Sequence, residues 1–178
     1  MNTHSPSIFG RYQEARTKVF LENEKTYANW LPGLRAQKRR RAFVTILLVL
    51  LTASAAFALS DPLFEWAIGS WGICYIVFAF ATIILGIVSN RRAEAPVEAL
   101  DELEVQLRNQ ARSIGLTVTQ ALGTAAAAYL FLGSIFGATN LGISGGALML
   151  TALSAGGATP AMLLAWTTPD PDPDPEDG

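Results

Sequence analysis

Long uncharged runs alternate with charged segments along this chain. Residues 42–60, 66–90 and 113–169 contain no Asp, Glu, Lys, Arg or His. Because a bilayer offers the backbone no water for hydrogen bonding, stretches this apolar close their hydrogen bonds within helices. With a rise of about 1.5 Å per residue, roughly 20 residues cross the ~30 Å hydrocarbon layer. The pattern therefore predicts an all-α, polytopic integral membrane protein with four transmembrane helices, two of them in the longest run.

The longest uncharged run, residues 113–169, holds two predicted spans, so it must contain a turn. Residues 137–146 (GATNLGISGG) are its only part rich in Gly and Asn, which are typical of turns. We therefore expect a third span over residues 116–138 and a fourth over residues 143–166. Together they form a second hairpin, residues 116–166, which follows a first hairpin over residues 42–89.

The first apolar run has features of two different kinds of segment. Residues 38–61 begin with KRRR and end with small residues, a combination found both in cleaved export signals and in membrane anchors. The stretch RRAFV, residues 40–44, is similar to a twin-arginine export signal. However, a polar segment, residues 1–41, precedes the run, and further predicted spans follow it. We therefore expect an uncleaved first span.

Three segments outside the predicted spans are polar. Residues 1–41 carry an aromatic and aliphatic stripe beside basic residues, which predicts an amphipathic helix that lies on the inner membrane surface or packs against the protein's second cytoplasmic helix. Residues 90–115 predict a second cytoplasmic amphipathic helix, ending at Gly115. Its apolar stripe comprises Leu100, Leu103, Leu107, Ala111 and Ile114. Residues 167–178 alternate Pro with acidic residues, which predicts an extended, mobile tail.

The 13 Lys and Arg residues are confined to residues 1–41 and 90–115. An excess of basic residues marks the cytoplasmic side of a membrane protein. We therefore expect both termini and the middle segment on the cytoplasmic side of the plasma membrane. Trp66, Trp71 and Trp166 fit aromatic anchors at its two interfaces. The residues expected to set this topology and to meet anionic lipid are Arg35, Lys38, Arg39, Arg40, Arg41, Arg91 and Arg92.

The composition of the chain argues against most kinds of catalytic, metal-binding and phosphate-binding site. Residues 142–146 (GISGG) match the G-x-S-x-G pattern of serine hydrolases. A serine nucleophile needs a nearby base, but the single His4 is predicted on the opposite side of the membrane from Ser144. The chain has no spacing typical of a metal site or a phosphate-binding loop, and the single Cys74 excludes an intramolecular disulfide. We therefore expect no enzyme activity, cofactor, metal or nucleic-acid partner.

Small residues are the main remaining feature of the last two spans, and they let helices approach closely in lipid. The predicted helix-packing residues are Gly133, Gly137, Gly142, Gly146, Gly156 and Gly157. The third span also carries polar residues that suit either a buried polar seam or a pore lining. They are Thr117, Thr119, Gln120 and Thr124. We expect a non-enzymatic accessory or scaffold subunit of a membrane complex, or a homo-oligomer. The alternative is a channel or holin-like permeability protein built from the third and fourth spans.

Overall fold

The computed structural model describes residues 36–60, 64, 66–88 and 102–168, and the regular structure in this part of the chain is helical throughout. Its helices are α1 (Gln37–Ser60), α2 (Ala67–Val88), α3 (Glu102–Ile135) and α4 (Leu141–Thr167). Each is long and apolar enough to cross a membrane. The prediction of an all-α chain with four helices of membrane-spanning length is therefore confirmed. The predicted N-terminal amphipathic helix and the acidic tail lie outside the described residues.

The predicted helix end at Gly115 is wrong. A single helix of 34 residues, α3, runs through this position, and at about 1.5 Å per residue it is about 51 Å long. Glycine inside a helix costs only about 1 kcal/mol relative to Ala, which tertiary packing can outweigh. A Cβ on Gly115 would lie 2.9 Å from the Gly156 carbonyl oxygen and 3.0 Å from the Pro160 ring. The glycine therefore serves a close contact between α3 and α4 rather than a helix end.

The buried side of the first part of α3 also differs from the predicted apolar stripe. Its buried residues are Arg108, Ala111 and Gly115. Of the stripe residues, Leu103, Leu107 and Ile114 are exposed, only Ala111 is buried, and Leu100 lies outside the described residues. The buried residues lie on the same side of the helix as Gly115, which contacts α4, and the leucines of the predicted stripe lie on another side.

The connection between the last two helices lies slightly earlier in the chain than the predicted spans, residues 116–138 and 143–166, imply. Residues Phe136–Asn140 connect α3 to α4, and Gly137 and Asn140 adopt left-handed backbone conformations with φ of 68° and 56°. Gly and Asn are the residues that adopt this conformation at least cost. The Asn140 carbonyl oxygen accepts hydrogen bonds from the backbone amides of Ile143 and Ser144, so the GISGG stretch belongs to the first turns of α4.

Helix α4 is the centre of the arrangement. It packs against α3 most extensively and also against α1 and α2, while α1 packs against α2. The shared core includes Leu47, Phe78, Leu85, Met162 and Ala165. Among the described residues, α3 makes no more than marginal contact with α1 or α2, and many of its side chains on the side away from α4 are exposed.

Residue pairs between helices define their directions. Arg40, at the start of α1, contacts Thr168 at the end of α4, so these two helices are antiparallel. Trp71 and Tyr75 of α2 bond Thr151 and Ser154 of α4 in the same order, so those helices are parallel. Helix α3 is antiparallel to α4 through their short connection. The start of α1, the end of α2, the start of α3 and the end of α4 therefore lie at one end of the arrangement.

Candidate functional site

Glycine residues form the contact between α3 and α4, which we call the α3–α4 seam. Gly156 faces Thr119, and a Cβ at Gly156 would lie 2.9 Å from the Thr119 Cα. A Cβ at Gly145 would lie 2.6 Å from Cγ of Leu130. At the turn end, Gly133 faces the Leu141 side chain in the same way. At Gly156 a Cβ would meet the Thr119 backbone, so the helices would have to move apart, whereas at Gly145 and Gly133 it would displace a leucine side chain. The glycines therefore permit the close packing of the two helices.

The six predicted helix-packing glycines separate into three groups. Gly133 and Gly156 lie in the α3–α4 seam. Gly137 lies in the turn after α3, so its spacing from Gly133 does not make a helical GxxxG face. The third group is exposed, and a Cβ there would meet no atom within 4 Å. This group, which we call the open glycines of α4, comprises Gly142, Gly146 and Gly157.

The sequence interpretation missed two seam positions, Gly115 and Gly145. Gly145 precedes Gly156 by three helical turns, and residues three turns apart share one face of a helix. That spacing could have identified Gly145 from the sequence as a partner of Gly156 on one face. It could not have shown which side of α4 faces α3, because the open glycines have a similar helical spacing on another side.

Side chains of α2 and α3 reach hydroxyl groups on α4. Trp71 Nε1 donates to Thr151 Oγ1 at 3.1 Å, and Tyr75 Oη lies 2.8 Å from Ser154 Oγ. The Trp71 and Tyr75 rings stack with centroids 5.2 Å apart. Trp71, expected as an interfacial anchor, thus makes an interhelical hydrogen bond. Such bonds average about 0.6 kcal/mol in membrane proteins, so they add specificity to the glycine contacts.

The serine of the GISGG stretch is part of this helix packing. Ser144 is fully buried and donates from Oγ to the Asn140 carbonyl oxygen at 3.1 Å. Its Oγ also lies 3.2 Å from Tyr129 Oη. Both partners are neutral hydrogen-bonding groups, so the surroundings of Ser144 suit a connection between α3 and the start of α4. Within residues 36–60, 64, 66–88 and 102–168, no group of three or more His, Cys, Asp or Glu side chains is placed to hold a metal ion.

The four polar residues of the third span do not all lie on one face of α3. Thr119 lies in the α3–α4 seam and donates to its own helix at the Gly115 carbonyl oxygen, 2.8 Å away. The other three are exposed on the side of α3 away from α4, which we call the outer face of α3. This face comprises Thr117, Gln120 and Thr124. Thr117 Oγ1 donates to the Ser113 carbonyl oxygen at 3.1 Å. The side-chain amide of Gln120, with its NH₂ donor and its carbonyl acceptor, is therefore the group on this face that can make the most hydrogen bonds to a partner.

Gln120 lies well inside the part of α3 that packs alongside α4. Its neighbour Thr119 contacts Gly156, eleven residues before Thr167. At about 1.5 Å per residue this contact is about 16 Å from that end of α4. Residues preceding Arg108, by contrast, extend past the end of α4, because Gly115 is level with Pro160.

Two of the cavities in the described part of the chain flank α4. One, of about 200 Å³, lies between α1, α3 and α4 and has an almost wholly apolar lining that includes Leu59, Leu122 and Leu148. The other, of about 410 Å³, lies between α2 and α4 and includes Gly86 and Gly157. Neither cavity is enclosed by the described residues.

Basic residues of α1 hold the last turn of α4, an arrangement we call the arginine clamp. Arg40 Nη2 donates to the Thr168 carbonyl oxygen at 2.9 Å, and Arg41 Nε donates to the Trp166 carbonyl oxygen at 3.3 Å. The Arg41 guanidinium also lies 5.4 Å from the centroid of the Trp166 ring. Cations at a helix C-terminus satisfy its last carbonyl groups and oppose its dipole.

The predicted topology residues are only partly described. Arg40 is buried with 7% of its surface exposed, whereas Lys38, Arg39 and Arg41 are exposed. Arg35, Arg91 and Arg92 lie outside the described residues. Comparison of the chain with protein-family models, with curated proteins and with solved structures finds no match.

Proposed function

We propose that this chain is a non-enzymatic integral membrane protein that acts by helix association, as an accessory or scaffold subunit of a membrane complex or as a homo-oligomer. The observation that carries the proposal is Gln120, an amide exposed on the outer face of α3 about 16 Å from the nearest end of α4. A neighbouring helix on this face would give the amide a partner.

The energetic argument compares lipid with protein surroundings. Transfer of an unpaired amide from water into hydrocarbon costs about 4–8 kcal/mol. An interhelical hydrogen bond recovers part of this cost, and the amide of Gln120 can donate and accept at once. A second copy of α3 presents the same group and is self-complementary. The open glycines of α4 add a surface on which another helix can approach closely.

We also propose that both termini face the cytoplasm, in the plasma membrane, and that the basic end contacts anionic lipid. Lys38, Arg39 and Arg41 are exposed at the end where α1 begins and α4 ends. The described residues of the opposite end, around Ser60 to Ala67 and Phe136 to Leu141, contain no Lys or Arg. This asymmetry supports the orientation through the positive-inside bias.

The second candidate function is a channel or holin-like permeability protein, and the polar character of the outer face of α3 also favours it. In a ring of several copies, Thr117, Gln120 and Thr124 would line a wet path rather than a dry contact. Cysteines at these positions, in a Cys74→Ala background, resist water-soluble thiol reagents if another helix covers the face. Strong labelling at all three, without labelling at Phe80 on α2, supports the channel instead.

The experiment that tests the association proposal compares two glutamines on α3. Gln120→Leu removes the amide within the span, whereas Gln106→Leu makes the same change at an exposed position beyond the end of α4. The wild-type protein and the Gln106→Leu variant should be recovered from mild detergent as one defined assembly, and Gln120→Leu should dissociate it. Recovery of all three proteins as monomers, or as the same assembly, would contradict the proposal.

A further inference from the structure

We propose that the acidic C-terminal segment, residues 169–178, binds the exposed basic residues at the start of α1 in the same chain and competes there with anionic lipid head groups. The contact with the segment does not depend on the helix-association function. Only the competition rests on the proposed contact between the basic end and anionic lipid.

The arginine clamp brings the start of the acidic segment to the basic residues. Arg40 Nη2 bonds the carbonyl oxygen of Thr168, the residue immediately before the segment, at 2.9 Å. Asp170 follows two residues later, and two extended residues span at most about 7 Å. The first carboxylate of the segment is thus tethered within reach of the guanidinium groups of Arg40 and Arg41 without closure of a long loop.

The charges of the two segments are complementary. Residues 169–178 contain five carboxylates, separated mostly by prolines. Arg41 of the clamp and its neighbours Lys38 and Arg39 are exposed and present positive charge at the surface. Proline fixes the backbone φ angle, so an extended segment of this composition loses less conformational entropy on binding than a flexible one would.

The covalent link between residues 169–178 and α4 favours this segment over a free acidic peptide as the ligand of the basic residues. A ligand joined by a short linker binds at an effective concentration in the millimolar range, so weak individual ion pairs become sufficient. The attraction operates over about 8 Å at physiological ionic strength and about 3 Å at 1 M salt. The contact must therefore weaken steeply with added salt.

Anionic lipid head groups bind the same donors. Each Lys or Arg near a membrane surface gains about 1 kcal/mol from anionic lipid, and an exposed ion pair with a carboxylate is worth about 0–1 kcal/mol. In a neutral bilayer no lipid anion competes with the acidic segment, and in an anionic bilayer lipid head groups do. The segment would thereby make the lipid contact of the basic end depend on the surface charge of the membrane.

The first test uses Lys38, the only lysine among the described residues. A carbodiimide joins an amine to a carboxylate in contact with it through an amide bond. In phosphatidylcholine nanodiscs at low salt, mass spectrometry of the full chain should find Lys38 joined to acidic residues of 169–178, and 1 M salt should abolish the product. Lys38→Arg, which keeps the charge and removes the amine, is the chemical control.

A mixture of ¹⁵N-labelled and unlabelled protein shows whether the crosslink forms within one chain or between two chains. Crosslinks within one chain support the proposal. Products only between labelled and unlabelled chains would assign the surface to a second copy and overturn it. Absence of the product at low salt, or a product unchanged at 1 M salt, would overturn it as well.

The second test measures the competition with lipid. Neutralisation of the five carboxylates by Asn and Gln should raise the ratio of phosphatidylglycerol to phosphatidylcholine retained by the purified protein by about fivefold, the factor equivalent to one recovered basic contact of about 1 kcal/mol. The same neutralisation in a protein with Lys38, Arg39 and Arg41 changed to Gln should leave the ratio unchanged. An unchanged ratio in the first variant would refute the competition, whatever the assembly state of the protein.

Discussion

Adjacent glycines on α4 provide a matched test of the α3–α4 seam. Gly156 is buried against Thr119, whereas Gly157 is exposed and has no atom within 4 Å of a Cβ built on it. Substitution by Ala at either position brings the same gain in helix propensity, about 1 kcal/mol. The difference between the two variants therefore isolates the steric cost of the methyl group in the seam.

The size of that cost follows from the atoms that the methyl group meets. A Cβ at Gly156 would lie 2.7 Å from Cβ and 2.9 Å from Cα of Thr119. A rotamer change cannot move either atom, so the helices must separate. Overpacking of this kind costs about 1–3 kcal/mol, and we expect the upper part of the range. Gly156→Ala should thus be about 2–3 kcal/mol less stable than Gly157→Ala.

Unfolding in mixed micelles, with helix content followed by circular dichroism as the mole fraction of dodecyl sulfate rises, measures this difference. Thr119→Gly should reduce it, because the threonine side chain is removed while its Cα remains. Thr117→Gly, on the outer face of α3, controls for the loss of helix propensity and should leave the difference intact. Equal stability of Gly156→Ala and Gly157→Ala, within about 0.5 kcal/mol, would refute the seam as described.

Three further predictions concern separate parts of the chain. Reporter fusions within residues 61–65, 89–101 and 136–140 and after residue 168 should read outside, inside, outside and inside, and an outside reading for the last would refute the proposed orientation. Tyr75→Phe removes the bond to Ser154 and should lower the free energy of unfolding by about 0.6 kcal/mol. Gly137→Ala places a Cβ on a left-handed residue and should cost about 1–2 kcal/mol, without changing the assembly measured by crosslinking; a changed assembly would mean that Gly137 also packs between helices.

Hydropathy predicts the four helices well because it depends on the number of consecutive uncharged residues, which the packing of the helices does not alter. Roughly 20 uncharged residues must form a helix in lipid wherever its neighbours lie. The end of α3 was harder to place. Gly115 looks like a helix end from local pattern alone, and only the contact with Gly156 and Pro160 explains why the helix continues.

Glycine spacing is a weaker guide to packing than hydropathy is to helices. Gly133 and Gly137 have the spacing of a packing motif, yet the second lies in a turn with φ of 68°. Gly142 and Gly146 have the same spacing within α4 and face outward. Which glycines face another helix depends on the relative rotation of α3 and α4, and that rotation comes from side chains distant in the sequence.

Photocrosslinking in native membranes tests most directly whether another helix covers the outer face of α3. A photoreactive amino acid at Gln120 should give a discrete adduct with the mass of two copies of this chain, or of one copy and one identified membrane protein. The same group at Phe80, exposed on α2, should give lipid adducts. Lipid adducts alone at Gln120, equal to those at Phe80, would contradict helix association as the function of this protein.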